Sequence, residues 1–245
     1  MKIGLKIYPY KENYKFAKKF CDLVDFIEIM AIPGEDYSYL DKFNLPVVVH
    51  NMHEGLGINL ANPDKRKINR ESLDFSTQLA DKFDSKFIIV HSGKGENEKC
   101  SKEELIEELN LYRDKRIVLE NCVFREKEVA YGYDFISMKN IISKTKSGLC
   151  LDFPHAYLSA HFLKRDPIKL IKDLTKLKPK IFHISNMYKE EAIDSHNNLC
   201  DGNLPIEDLL KFVGKNYVTM ETNHDLEKTK MDIIFLRNFI KSTNE

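Results

Sequence analysis

Six short apolar runs in this chain each climb to a side chain that can bind a metal and then stop. They read Val47-Val48-Val49-His50, Ile88-Ile89-Val90-His91, Ile117-Val118-Leu119-Glu120, Leu149-Cys150-Leu151-Asp152, Ile181-Phe182-His183 and Val218-Thr219-Met220-Glu221. A buried strand has no use for His, Glu or Asp unless the group is paired or coordinated. The loops beyond add His53, His155, Asp194 and His196, so that of the eight histidines only His161 and His224 fall clearly outside the pattern. A lone histidine beside an apolar run is usually a hydrogen-bonded core residue. Repetition at six equivalent positions is not expected of unrelated core residues. Imidazoles suit zinc and similar divalent ions, and carboxylates can bridge two of them. So many donors exceed what one tetrahedral ion can use. They imply two or three ions close together, able to clamp a phosphoryl group and activate a water.

Such a site needs strands that end side by side. Continuous β-branched and aliphatic runs suit strands buried on both faces, as in a parallel sheet. Strands are expected at 2–8, 24–30, 45–50, 86–91, 116–121, 148–153, 180–185 and 216–221. Amphipathic segments lie between them near 12–22, 36–43, 65–83, 101–113, 134–145, 166–176, 205–213 and 225–241. Ser101 followed by Glu104 has a capping-box layout, and Pro167 and Pro205 sit where a helix begins. Eight strands alternating with eight helices read as a (β/α)8 barrel, with an open doubly wound sheet as the alternative. Ligand-type residues at successive strand tips are what an active site on a barrel rim requires. No linker or low-complexity stretch divides the chain, so residues 1–245 are expected to form one domain.

Composition sets the bounds. A hydrophobic share of 42% with 31% charged residues is ordinary for a globular protein with a full core. Lys plus Arg and Asp plus Glu are 38 each, so the sum gives no sign of a polyanion partner, although a local basic rim would be invisible in it. The five cysteines are odd in number and lack CxxC spacing, which argues for reduced thiols. No apolar stretch approaches the roughly 20 residues that span a bilayer. No signal-peptide layout precedes the first strand. A cytoplasmic protein without a membrane partner is expected.

The same residues resemble the xylose isomerase-like barrel superfamily, and most closely its endonuclease IV branch (AP endonuclease family 2). That resemblance implies up to three zinc ions held by nine side chains. His50 and His91 are similar to the branch's early histidines, and Glu120 to its metal-bridging glutamate. Leu151-Asp152-Phe153-Pro154-His155-Ala156 is similar to the Asp-x-x-His-Ala segment. His183, the Asp194 and His196 pair, and Glu221 complete the set, and Ile58-Asn59-Leu60-Ala61 resembles a further segment. The implied activity is phosphodiester hydrolysis in DNA at abasic or damaged sites, with Glu120 and Glu221 at the reacting centre. Sugar and sugar-phosphate isomerases and epimerases are similar as well. They imply one divalent ion (Mn2+ or another) on Glu120, Asp152, His183 and Glu221, with the glutamates as acid and base. A barrel that only binds would be marked by a lost ligand, and none is lost.

The chain also departs from the endonuclease pattern. The stretch 50–57 is longer and lacks the expected tyrosine, and the loop after the first strand is very short. The loop 121–133 instead carries Arg125 and Lys127. Those two, with Lys94 and His53, are the candidates for gripping a substrate. Basic side chains along one groove would suit a nucleic-acid backbone, whereas loops closing a small pocket would suit a sugar.

Overall fold

The computed structural model describes residues 1–126, 129–190 and 192–243. Among them the strands are β1 (Lys2–Ile7), β2 (Phe26–Ala31), β3 (Val47–Asn51), β4 (Ile88–His91), β5 (Lys94–Gly95), β6 (Ile117–Glu120), β7 (Val129–Ala130), β8 (Gly148–Asp152), β9 (Ile181–Ile184) and β10 (Tyr217–Met220). Eight of these, all but β5 and β7, run parallel and close into a barrel in the order β1, β10, β9, β8, β6, β4, β3, β2. β5 and β7 form a small antiparallel ribbon on the rim. The barrel, not the open sheet, is the architecture.

The helices are α1 (Lys11–Ala17), α2 (Arg66–Lys82), α3 (Lys102–Tyr112), α4 (Phe135–Thr145), α5 (Phe153–Phe162), α6 (Pro167–Thr175), α7 (Ile206–Val213) and α8 (Leu226–Ser242). Two differences from the sequence reading have physical causes. The segment expected as a helix at 36–43 is a 3-10 turn, Ser38–Lys42, too short to hold a second α-turn. Helix α5 has no counterpart among the expected spans. Seven of its ten residues are buried, so it lacks the polar face that makes helical periodicity visible.

A strand's period of two decides what enters the barrel. Phe26, Val48, Ile89, Val118, Cys150 and Ile181 form a separate buried cluster that fills the lower interior. Two residues further along the same strands stand Glu28, His50, His91, Glu120, Asp152 and His183. The apolar plug is therefore the floor on which the polar layer rests. Gly4 of β1 belongs to this floor, since a Cβ there would lie 2.2 Å from the Phe26 ring.

Candidate metal centre at the barrel mouth

Local structure fixes the orientation of each side chain. Asp152 closes β8 and also caps α5, its Oδ1 accepting from the His155 N–H at 2.6 Å. Pro154 occupies the first turn of that helix, where a missing N–H is cheap. Asn121 clamps the Asp152 backbone from both sides, accepting from its N–H at 2.7 Å and donating to its carbonyl at 3.0 Å. On the other flank, Ser72 and Ser76 of α2 both donate to Asn51 Oδ1 at 2.8 Å, fixing the residue after His50. The segment that carries Asp194 and His196 is returned to the barrel by a two-way backbone bridge between Asn186 and Asn197.

Glu120 is the hub. One or other of its oxygens lies 3.1 Å from His50 Nε2, 3.4 Å from His91 Nε2, 3.3 Å from His155 Nδ1 and 3.5 Å from His183 Nδ1. Donor atoms of His50, His91 and Glu120 lie within 4.8 Å of one another, as do those of Glu120, Asp152, His183 and Glu221. Beside them, Asp194 Oδ2 is 3.0 Å from His155 Nε2 and 3.5 Å from His196 Nε2. All nine residues read from the sequence as ligands thus meet at one end of the barrel.

The outward nitrogens of these rings are tied. His50 Nδ1 lies 2.7 Å from the Asn51 carbonyl, His155 Nδ1 2.8 Å from that of Asn121, and His196 Nδ1 3.1 Å from that of Glu221. A carbonyl only accepts, so those nitrogens carry the hydrogen. His91 Nδ1 meets Glu54 Oε2 at 3.0 Å, and His183 Nε2 meets Glu28 Oε2 at 3.1 Å. Five imidazoles therefore each turn one nitrogen inward and anchor the other, the arrangement typical of metal-ligating histidine.

Two features show that these donors fit cations. Burial, with the Lys6 charge, pulls the His50 pKa down, so the ring is neutral with its hydrogen on Nδ1. Its Nε2 lone pair then faces a carboxylate oxygen, two acceptors that a shared cation would suit. His183 Nδ1 and Glu221 Oε2 are 2.8 Å apart, yet both are buried without a hydrogen bond. Asp194 Oδ1 is left in the same state.

The electrostatics point the same way. Burial alone would lower the pKa of His91, His155 and His183, but the surrounding groups, Glu120, Asp152 and Cys150 foremost, outweigh it and hold all three well above the usual value. Burial, reinforced by Asp194, Glu120 and Glu221, pushes Asp152 up to about 7. Acidic groups crowded to this degree favour any cation that can replace the inward protons.

Four residues were missed by the sequence reading, Glu54 behind His91 among them. Lys6 donates to Glu221 Oε1 at 2.5 Å and lies 3.8 Å from Glu28. Glu28 is fully buried and also accepts from Thr219 Oγ1 at 2.6 Å. His224 ties the loop after β10 to α1 and β1, through Asn13 at 3.2 Å and the Lys6 carbonyl at 3.0 Å. A cavity of about 290 Å³ opens beside Glu221, lined by Lys6, Tyr8, Asn13, His196, Thr222 and His224 among others.

The candidates for substrate binding are dispersed. His53 stacks on His91, with ring centres 5.0 Å apart. Lys94 lies in the β5–β7 ribbon, its backbone paired with Asn59. The Arg125 guanidinium sits 5.8 Å over the Phe162 ring, at the end of α5 remote from Asp152. That is roughly 15 Å along the helix from the cluster. The structure therefore does not align Arg125 with the candidate ligands, because an aromatic face holds its charge. Lys127 lies outside the described residues. No described helix is long and apolar enough to cross a membrane.

Comparison with known proteins finds relatives of this barrel. Apurinic-apyrimidinic endonuclease 1 of Plasmodium falciparum is 26% identical over 202 residues, 74% of this chain but only 32% of that protein, so the chain spans about a third of its length. A D-tagatose 3-epimerase-like protein superposes with a TM-score of 0.77 at 19% identity, covering 100% of this chain and 98% of the other. Endonuclease IV from Thermus thermophilus gives 0.77 at 18% identity, covering 99% of this chain and 100% of the other. At such identities the two structures speak for the fold alone. The sequence profile of the xylose isomerase-like TIM barrel matches residues 37–239, and the chain belongs to that family.

Proposed function

We propose that this chain is a single-domain, endonuclease IV-like phosphodiesterase that cleaves DNA at abasic or otherwise damaged positions with a three-ion zinc site. The observation that carries the reading is the meeting of His155, Asp194 and His196 beside Glu120, at 3.0 and 3.5 Å within the trio. A one-ion isomerase site would leave those three residues idle. His50, His91 and Glu120 would hold one ion. Glu120, Asp152, His183 and Glu221 would hold a second, and His155, Asp194 and His196 a third. Divalent ions in such sites polarise a phosphodiester, lower the pKa of water and stabilise the leaving oxygen. The relative named as an apurinic-apyrimidinic endonuclease supports the substrate class.

The protein's own groups prepare that chemistry. Glu120 ties the first two sets together. The apolar plug below the polar layer closes the barrel floor, so solvent and substrate enter from the rim. Lys6 holds one oxygen of Glu221 and leaves the other facing His183. His196, with its side chain 40% exposed, stands where a phosphate would approach.

One observation favours a second reading, a sugar or sugar-phosphate epimerase using Mn2+ or another ion. The cavity beside Glu221 is small and lined by hydrogen-bonding groups, while Arg125 is turned away. A nicking assay on an abasic-site duplex decides between them. Wild-type protein loaded with zinc should cleave, and His155→Ala and Asp194→Asn should not. Turnover of ketoses without any nicking, retained in both variants, would establish the epimerase instead.

A further inference from the structure

What stands behind the five imidazoles differs. Main-chain carbonyls accept from the outward nitrogens of His50, His155 and His196, with the ligand candidate Glu120 also 3.3 Å from that of His155, whereas carboxylates outside the ligand set back His91 and His183. Neither Glu54 nor Glu28 is among the nine residues given to ions above, and both are held in place. Glu54 opens a 3-10 turn, Glu54–Leu56, that ends on Gly57 in the left-handed region. Glu28 lies on β2, with Thr219 on the same oxygen as His183 and Lys6 beyond the other. With no accessible surface, Glu28 cannot touch a substrate.

A carboxylate behind a ligating histidine fixes the tautomer as a carbonyl does, so that the inward nitrogen presents a lone pair. Its charge adds what a carbonyl lacks, by raising that nitrogen's basicity. We infer that Glu54 and Glu28 are positioning residues for His91 and His183, and that they make the two ions at those histidines bind more tightly than the ion at His155, Asp194 and His196. The three-ion ordering rests on the reading proposed above, whereas the positioning role of Glu28 needs only one ion at His183.

Zinc titration of metal-stripped protein against a chromophoric chelator tests this, with visible spectra of the cobalt-loaded protein and circular-dichroism melts alongside. Wild type should take up two ions tightly and one more weakly. Glu54→Ala should weaken one tight ion about 100-fold and change the cobalt absorption, while Glu54→Gln, which keeps an acceptor but loses the charge, should cost about 10-fold. Glu28→Gln should weaken the other tight ion about 10-fold by the same logic. A role confined to folding would move the melts and leave affinity and spectrum alone. Unchanged zinc affinities in folded Glu54→Ala and Glu28→Gln would overturn the inference. So would a fourth ion lost on both Glu54→Ala and His53→Ala, since Glu54 would then be a ligand. A single ion in wild type, weakened by Glu28→Gln, would preserve that positioning role and sink the three-ion reading. A single ion indifferent to Glu28→Gln would sink both.

Discussion

At the scale of single residues, the site is a set of buried charges made tolerable by one another. Glu120 is buried among four imidazoles, and removing its charge leaves the inward nitrogens of His50, His91 and His183 without a counterpart. On the proposed reading, Glu120→Gln lowers phosphodiester cleavage about a thousandfold, the equivalent of roughly 4 kcal/mol. Activity within a few-fold of wild type in steady-state assays would remove Glu120 from the reacting centre. Most of this layer is legible in the sequence because histidine and carboxylate tips interrupt runs that are otherwise wholly apolar. Lys6 and Glu28 carry the same signal, one charge inside Ile3-Gly4-Leu5-Lys6-Ile7 and one inside Phe26-Ile27-Glu28-Ile29-Met30. They escape notice because each sits before the end of its run, where a ligand is not looked for. The reach of Arg125 toward Phe162 is tertiary, and no local pattern encodes it.

At the scale of elements, hydrogen bonds between neighbouring strand ends carry the geometry. Asn121, at the end of β6, holds both backbone groups of Asp152 and accepts from His155 through its own carbonyl. Asn121→Ala should cost about 2–3 kcal/mol in denaturant unfolding, since it leaves buried backbone groups unpaired, and should reduce metal uptake. A stable variant with full uptake would show that the clamp is dispensable. At the start of β6, Arg116 reaches Asp114 Oδ2 at 2.7 Å, and that hydrogen bond holds the Asp114 carboxyl below its usual range. A depressed folded pKa means stabilisation that is complete above about pH 4 and is lost as the pH falls through the lowered value. Asp114→Asn should therefore be about 1 kcal/mol less stable at pH 7 and no different from wild type in strong acid. A constant difference across that range would contradict the assignment. All eight barrel strands are legible because burial on both faces writes a continuous apolar run. Helix α5 is not, although its cap Asp152 and its Pro154 are plain, because a helix buried nearly all round writes no stripe.

At the scale of the molecule, a closed barrel divides its interior into an apolar floor and a polar mouth, and the period of two along each strand sets the division. At Gly4 in the floor, Phe26 fills the space that a side chain would need. Gly4→Ala should lower thermal stability by about 1–3 kcal/mol, and Phe26→Leu in the same chain should restore part of it. Additive losses in the double variant would place the clash elsewhere. On the proposed reading this mouth holds three ions. Elemental analysis of gently purified protein tests it most directly, alongside His50→Ala, His91→Ala and His155→Ala. Wild type should carry close to three zinc per chain, and each variant about one fewer. One ion per chain, retained by all three variants, would contradict it.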